Sequence, residues 1–412
     1  MNKNKKMIQF GAGRIGRAFL GQLFSLSGYE VVFVDINQEL VNKINKQRGY
    51  YIIVKQNGAP DKTIQIRDVR AIEASNVELI RKEIVEADII CTAVGKNSLD
   101  KIVPLIAEGL LLRWKKVRNS PVDIIIAENV RYASRYLRRK LKRILPEEFP
   151  LNHLVGLVET SIGKMVPIVP EDKIKLDPLI LFTEPYNQLI VDKKAFKNPI
   201  PYLPELLPVR NIQAYVDRKL FIHNLGHSAT AYLGYHYQPD FKYIYEPLQN
   251  SEIYYKIRKV MLQSAQALNQ AYPDDLPMND LKIHIEDLLT RFQNRALQDT
   301  IYRVGCDLYR KLHKNERIIG SIILAERNNT DWDEQAEIFR AALQFRAKDE
   351  HGQLFPEDKN FIEKELPLGI EHILRKVSYL NLFNRTEAMV FQKLIDYSLD
   401  EPYLRRILWK IH

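Results

Sequence analysis

At 412 residues, 46% hydrophobic and 27% charged, the chain is long enough for two or three domains with cores of their own and has the composition of a globular protein. No window approaches the roughly 18 to 20 uninterrupted apolar residues of a membrane span, and the basic start MNKNKKMIQF lacks the apolar segment and cleavage site of a leader. A net charge of +10 suits anionic partners without assigning one. The two cysteines, Cys91 and Cys306, exclude a disulfide framework or a multi-cysteine zinc site and fit a reducing cytoplasm.

In chain order, Met7–Gly11 reads as a strand that runs into Gly11-Ala12-Gly13-Arg14-Ile15-Gly16, a G-x-G-x-x-G pattern opening the helix Arg14–Ser27. Alone that pattern is weak; between a strand and an amphipathic helix it has a mechanism. Gly11 permits the tight turn, Gly13 lets backbone approach a pyrophosphate, and Gly16 lets helix and strand pack closely. Free N–H groups at the helix start then hold the phosphates. Val31–Asp35 is the next strand, and Asp35 lies 19 residues beyond Gly16, close to the spacing of the acid that accepts from an adenosine ribose. Asp35 would repel a 2′-phosphate, and Ile36 and Asn37 offer no cation, so NAD is expected over NADP.

Asp88–Gly95, Asp123–Ala127 and His153–Val158 read as further strands, rich in Val and Ile. Alternation of strand and helix predicts an α/β, doubly wound Rossmann-type parallel sheet. The strand ends Thr92, Val94 and Asn97, with Glu128 and Asn129, should line the cofactor cleft. Arg131–Leu145 carries the densest basic run. With Ala133, Leu137, Leu141 and Ile144 as a buried stripe, it reads as an amphipathic helix with a solvated basic face, not as a nucleic-acid or membrane contact.

Residues 165 to 210 hold eight prolines and no long helical period, and read as an irregular or extended bridge. From about Asn211 the pattern turns helical, through Glu252–Ala271, Met278–Arg295, Asp331–Ala347 and the tail Asn360–His412. The expected domains are 1–205, Rossmann-type with the bridge at its end, and 206–412, mainly helical, with the active site in the cleft between them.

In the second half, Lys219, His223 and His227 fall on one stripe of a regular helix, with Asn224 beside it. Gly226 inside that helix costs roughly 1 kcal/mol relative to Ala, which is easiest to explain if something packs against the backbone. From the residues alone three readings stay open: a satisfied polar face; a His223/His227 metal pair, for which no third ligand stands out; or an acid–base group with donors for carbonyl chemistry.

Lys219-x4-Asn224-x2-His227 resembles the signature of the polyol-specific long-chain dehydrogenase/reductase family, which uses NAD(P) and no metal. The likeness covers nearly the whole chain, through Thr92-Ala-Val-Gly95, Glu128-Asn129, Val191-Asp-Lys193, Arg291-Phe, Asp299-Thr300, Arg303-Val-Gly305 and Arg310-Lys-Leu312. It implies Lys219 as general base in oxidation and general acid in reduction, Asn129 and Asn224 as an oxyanion hole, and His227 orienting the substrate. It implies that Glu128, Arg303, Arg310 and Lys311 face the substrate, and we expect the last three also to bind a phosphate. The expected reaction interconverts mannitol 1-phosphate and fructose 6-phosphate with NAD, in a cytoplasmic monomer. The alternatives are the same chemistry on an unphosphorylated hexitol or hexuronate, and a non-catalytic NAD-binding protein. One departure stands out: relatives carry Val-Asp-Arg where this chain has Ile162-Gly163-Lys164, and Glu159 is the nearby acid that could replace the missing carboxylate.

Overall fold

A computed structural model describes residues 5–399. The chain divides into two compact units between Val216 and Asp217.

The first unit is built on an eight-stranded sheet of order β11-β10-β8-β7-β6-β1-β2-β5. Its strands are β1 (Lys6–Phe10), β2 (Glu30–Asp35), β5 (Val69–Glu73), β6 (Ile89–Thr92), β7 (Val122–Ile126), β8 (Val155–Ile162), β10 (Leu189–Asp192) and β11 (Leu206–Val209). All neighbours are parallel except β8 and β10, which run antiparallel. Alternate side chains feed cores on the two faces: Met7, Val31 and Phe33 on one, Ile8, Phe10, Val32 and Val34 on the other. Both faces are covered, which is why these strands are apolar throughout rather than alternating. The chain leaves β1 toward β2 on one side, and β6 lies on the other. The carboxyl ends of β1 and β6 therefore form the crevice where ligands bind in sheets of this kind.

Three features add to or depart from the sequence reading. Residues 49–73, outside the strands and helices expected from the sequence, form the hairpin β3 (Gly49–Val54) and β4 (Lys62–Arg67) followed by β5, and β3 also pairs with β9 (Leu181–Thr183). The proline-rich bridge is mostly irregular but contributes the short strands β9, β10 and β11; Pro208 lies within β11 and is tolerated because β11 is an edge strand, where a missing N–H breaks no ladder. In the basic helix Ala133–Ile144, Ala133, Leu137 and Leu141 are buried, but Ile144, in the last turn, is exposed.

The second unit is helical. Ser251–Ala271 is its central helix and packs against Leu225–Tyr237, Met278–Phe292, Ile319–Arg327 and Asp333–Leu343. Its buried residues Ile253, Ile257, Val260, Met261, Ala265 and Leu268 recur at helical spacing. Asn250 starts it by accepting from the Glu252 and Ile253 amides. Gly226 does have a close neighbour: a Cβ there would come within 2.6 Å of the Met261 sulfur. Gly226→Val should therefore destabilise the protein by about 1–3 kcal/mol through overpacking. A denaturant midpoint equal to wild type would mean that Met261 moves aside freely. The tail is helical in successive short pieces from Pro356 to Val377 and again over Arg385–Leu399, and residues 400–412 of the expected helical tail lie outside the described residues. Among the described residues no helix is long and apolar enough to cross a membrane.

Candidate active site

The glycine loop after β1 is shaped by contacts of two kinds. Gly11 has φ +90°, and a Cβ there would strike the Ala93 carbonyl oxygen at 2.4 Å; a Cβ on Gly16 would strike the Gly11 oxygen at 2.0 Å. Both are glycine because the chain itself leaves no room. Gly13 differs: it is exposed, and a Cβ there would meet no protein atom within 4 Å. Its bareness is of use to a ligand's approach, not to packing. Ala12 is buried, Arg14 exposed and Ile15 half-buried. Asp35, at the end of β2, accepts from the Ala12 amide at 2.7 Å and the Asn37 amide at 2.9 Å. The acid thus braces the loop it is expected to serve.

At the ends of β6 and β7, Glu128 accepts from the Val94 and Gly95 amides at 2.9 and 2.8 Å, at the start of the helix Lys96–Lys116. Burial pushes its carboxyl up, against the hydrogen bonds from the Val94 and Gly95 amides. Glu128 therefore ties the two predicted cleft segments together, with both oxygens engaged by backbone. Thr92 is buried, Val94 half-buried, and Asn97 and Asn129 exposed. Glu159 is buried and accepts from Ser134 Oγ at 2.9 Å and Gln213 Nε2 at 3.0 Å; Lys164 donates to Asn187 at 2.6 Å.

On the second unit, the helix widens into a π-turn over Lys219–Asn224 before continuing as Leu225–Tyr237. The single regular stripe expected for Lys219, His223 and His227 is thus replaced by a wider turn, which brings Lys219 and Asn224 into register, five apart. Such turns recur at functional sites. Burial lowers the Lys219 ammonium to about 8, with Arg317 and Arg310 acting in the same direction and Glu316 against them. Arg317 is buried; its Nη1 reaches the Asn224 carbonyl at 3.4 Å and Ser228 Oγ at 3.2 Å, and its Nε reaches Glu316 at 3.3 Å.

His227 Nε2 lies 3.1 Å from Asp299 Oδ2, and its ring stacks on Phe292 at 4.8 Å. Burial lowers its pKa despite Asp299. Burial opposes ionisation of Asp299 too, but His227 and Arg303 hold that carboxyl below its usual range. Arg303 Nε bonds Asp299 at 2.5 Å; Arg310 bonds Asp307 and, at 3.2 Å, Glu316. Lys311 is buried with its ammonium on the Val304 and Cys306 carbonyls, and burial brings it to about 7.

The second unit thus gathers Lys219, Asn224 and His227 with Arg303, Arg310 and Lys311. Asn129, Glu128 and the glycine loop stand on the first. Among the described residues no three His, Cys, Asp or Glu side chains gather as a metal site. Residues 5–205 match the mannitol dehydrogenase Rossmann domain, and 211–378 the mannitol dehydrogenase C-terminal domain. The chain belongs to the mannitol dehydrogenase family. It is 31% identical to mannitol-1-phosphate 5-dehydrogenase of Buchnera aphidicola over 97% of this chain and 100% of that one. It is 32% identical to the protein of the same name from Lactiplantibacillus plantarum, over 79% of this chain and 83% of that one. Its fold is that of Pseudomonas fluorescens mannitol 2-dehydrogenase, solved as a ternary complex with NAD and D-mannitol, at TM-score 0.71 and 15% identity, covering 100% of this chain and 94% of that one.

For this mannitol dehydrogenase family member, sequence reading missed the partners that set the electrostatics of the site. Asp299 and Phe292 were noted without a role, and Glu316 and Arg317 were passed over. Adjacent Glu316-Arg317 was a visible pair of opposite charges, but nothing local placed it beside Lys219. The stacking of Phe292 on His227 comes only from tertiary packing.

Proposed function

We propose that this chain interconverts mannitol 1-phosphate and fructose 6-phosphate with NAD, and that Lys219 carries the proton at the reacting oxygen. The observation that carries the reading is Lys219 itself: a lysine set in a π-turn and lowered to about 8 can give or take a proton near neutral pH, as an ordinary lysine cannot. The full-length similarity to proteins named for this reaction supports the choice of substrate.

The first unit suits a dinucleotide. The open space at Gly13 is what a pyrophosphate needs, the amides of Gly11–Gly16 would hold it, and Thr92, Val94 and Asn97 would flank it. Asp35 would take the adenosine ribose, with no cation at Ile36 or Asn37 to welcome a 2′-phosphate. When bound, NAD would supply the hydride acceptor for oxidation and, in its reduced form, the hydride donor for reduction. In oxidation neutral Lys219 removes the hydroxyl proton; in reduction its ammonium donates to the carbonyl oxygen. Asn129 and Asn224 would donate to that oxygen as negative charge develops. His227 would orient the hydroxyl, its own ring fixed between Asp299 and Phe292.

Asp35→Asn should lower the preference for NAD over NADP by about tenfold or more, since about 1.4 kcal/mol of lost repulsion corresponds to that factor. An unchanged ratio of kcat/KM for the two cofactors would remove Asp35 from this role. A screen of NADH oxidation with fructose 6-phosphate, fructose and hexuronates tests the function as a whole. Fructose 6-phosphate should lead; a lead for either of the others would reassign the substrate, and none active would leave an NAD-binding protein without turnover.

A further inference from the structure

The glycine loop is held from behind by one buried cation. Arg17 follows Gly16 within a π-turn over Gly16–Gly21 and is only 7% exposed. Its Nε donates to the Ala12 carbonyl at 2.7 Å and its Nη1 to the Leu179 carbonyl at 2.8 Å. Tyr50 donates its hydroxyl to the Arg17 carbonyl at 2.8 Å, and the guanidinium lies 5.7 Å from the centre of that ring. Leu179 comes just before β9, Tyr50 is on β3, and these strands are neighbours in the three-stranded sheet. One side chain thus spans the loop and the small sheet. The approach is close: a Cβ on Gly21 would come within 2.7 Å of the Tyr50 oxygen.

Ala12 is gripped on both sides. Asp35 accepts from its N–H at 2.7 Å, and Arg17 donates to its C=O. In a planar trans peptide the C=O and the following N–H point in opposite directions, and among the described residues no peptide is cis. Fixing the Ala12 carbonyl on the guanidinium therefore turns the Gly13 N–H the other way. That N–H meets no acceptor among the described residues, and Gly13 is exposed, with open space where a Cβ would stand. A charge is costly to bury, and packing alone would be served by an apolar side chain.

We propose that Arg17 is a positioning residue for the cofactor: by tying the Ala12 carbonyl to that of Leu179, it aims the Gly13 N–H at the pyrophosphate. The proposal rests on the reading of the first unit as the dinucleotide site, and not on which sugar the chain turns over. It gives the small sheet a part in cofactor binding, as the wall against which the loop is set. A lysine would keep the charge but not the fork, whose fixed geometry sets two carbonyls at once.

The test is cofactor binding by the full-length protein, without sugar. Fluorescence titration measures NADH affinity, and competition against NADH measures ADP-ribose and adenosine, for wild type, Arg17→Met, Arg17→Lys and Tyr50→Phe. Arg17→Met should weaken NADH and ADP-ribose by about tenfold or more, as for loss of one hydrogen bond to a charged group, and leave adenosine, which has no phosphate, within about twofold. Arg17→Lys should recover part of that loss, and as the milder change it carries the test if Arg17→Met does not fold. Tyr50→Phe loses only a bond to the Arg17 backbone, so it should lower the urea midpoint and bind NADH as wild type does. Unchanged NADH affinity in either Arg17 variant, equal losses for adenosine and ADP-ribose, or a loss in Tyr50→Phe as large as in Arg17→Met would overturn the proposal. No binding of NADH by wild type would sink the cofactor reading and the proposal with it. Binding that depends on Arg17, without turnover of any sugar, would sink the proposed function and leave the role of Arg17 standing.

Discussion

Lys219→Ala is expected to lower kcat by about 10²- to 10⁴-fold in both directions, the range that a positioned acid or base supplies, while NAD binding is retained. Binding should survive because the groups proposed to hold the dinucleotide, Gly11–Gly16 and Asp35, lie on the first unit and Lys219 lies on the second. The pH profile of wild type carries the same information with a definite sign. Oxidation needs the neutral amine, so its kcat/KM should rise with pH and level off above about 8. Reduction needs the ammonium, so its rate should be flat at low pH and fall above about 8. Near-wild-type turnover of the alanine variant, measured by steady-state kinetics with NADH binding checked by fluorescence, would take the proton-transfer role from Lys219.

Arg317→Met should show the second large effect, on stability and on that profile together. Removing one partner of a buried charge pair typically costs about 3–5 kcal/mol where the other is left uncompensated, and the loss should be smaller here because Glu316 is not left alone. Here Glu316 would keep Arg310, and the Asn224 carbonyl and Ser228 hydroxyl would lose a donor. Urea unfolding measures the loss. Arg317 also opposes the Lys219 charge, so its removal should move the limb near 8 upward, but not as far as 10.5, because burial is the larger cause and remains. A profile that stays in place would show that Arg317 holds the helix and does not tune the lysine.

Much of this was legible in the sequence because its causes are local. A strand, a glycine turn and a helix start are fixed by neighbouring residues, and Asp35 follows at a spacing that one βαβ unit imposes. The Lys219 segment was visible for the same reason, as side chains on consecutive turns of one helix. The hairpin of β3 and β4 was not, since its pairing spans residues 49–67 and its third strand, β9, comes from beyond residue 180. The π-turn was not visible either: one added residue in a turn leaves no mark on a periodicity read at regular spacing. Charge pairing was the hardest to foresee. Arg303, Arg310 and Lys311 look like free cations when read in order, and only the fold shows Asp299, Asp307, Glu316 and two backbone carbonyls against them. His223, which had no role in the sequence pattern, gains neighbours through the helix Met278–Phe292.

The most direct test of the central claim is the ratio of kcat/KM for fructose 6-phosphate to that for fructose, measured by NADH oxidation with wild-type protein and with the product identified. The proposed function, which rests on kinship with proteins named for this reaction, predicts that the phosphorylated ketose is strongly preferred and that mannitol 1-phosphate accumulates. Equal or better turnover of fructose, or oxidation of NADH without a hexitol phosphate as product, would contradict it.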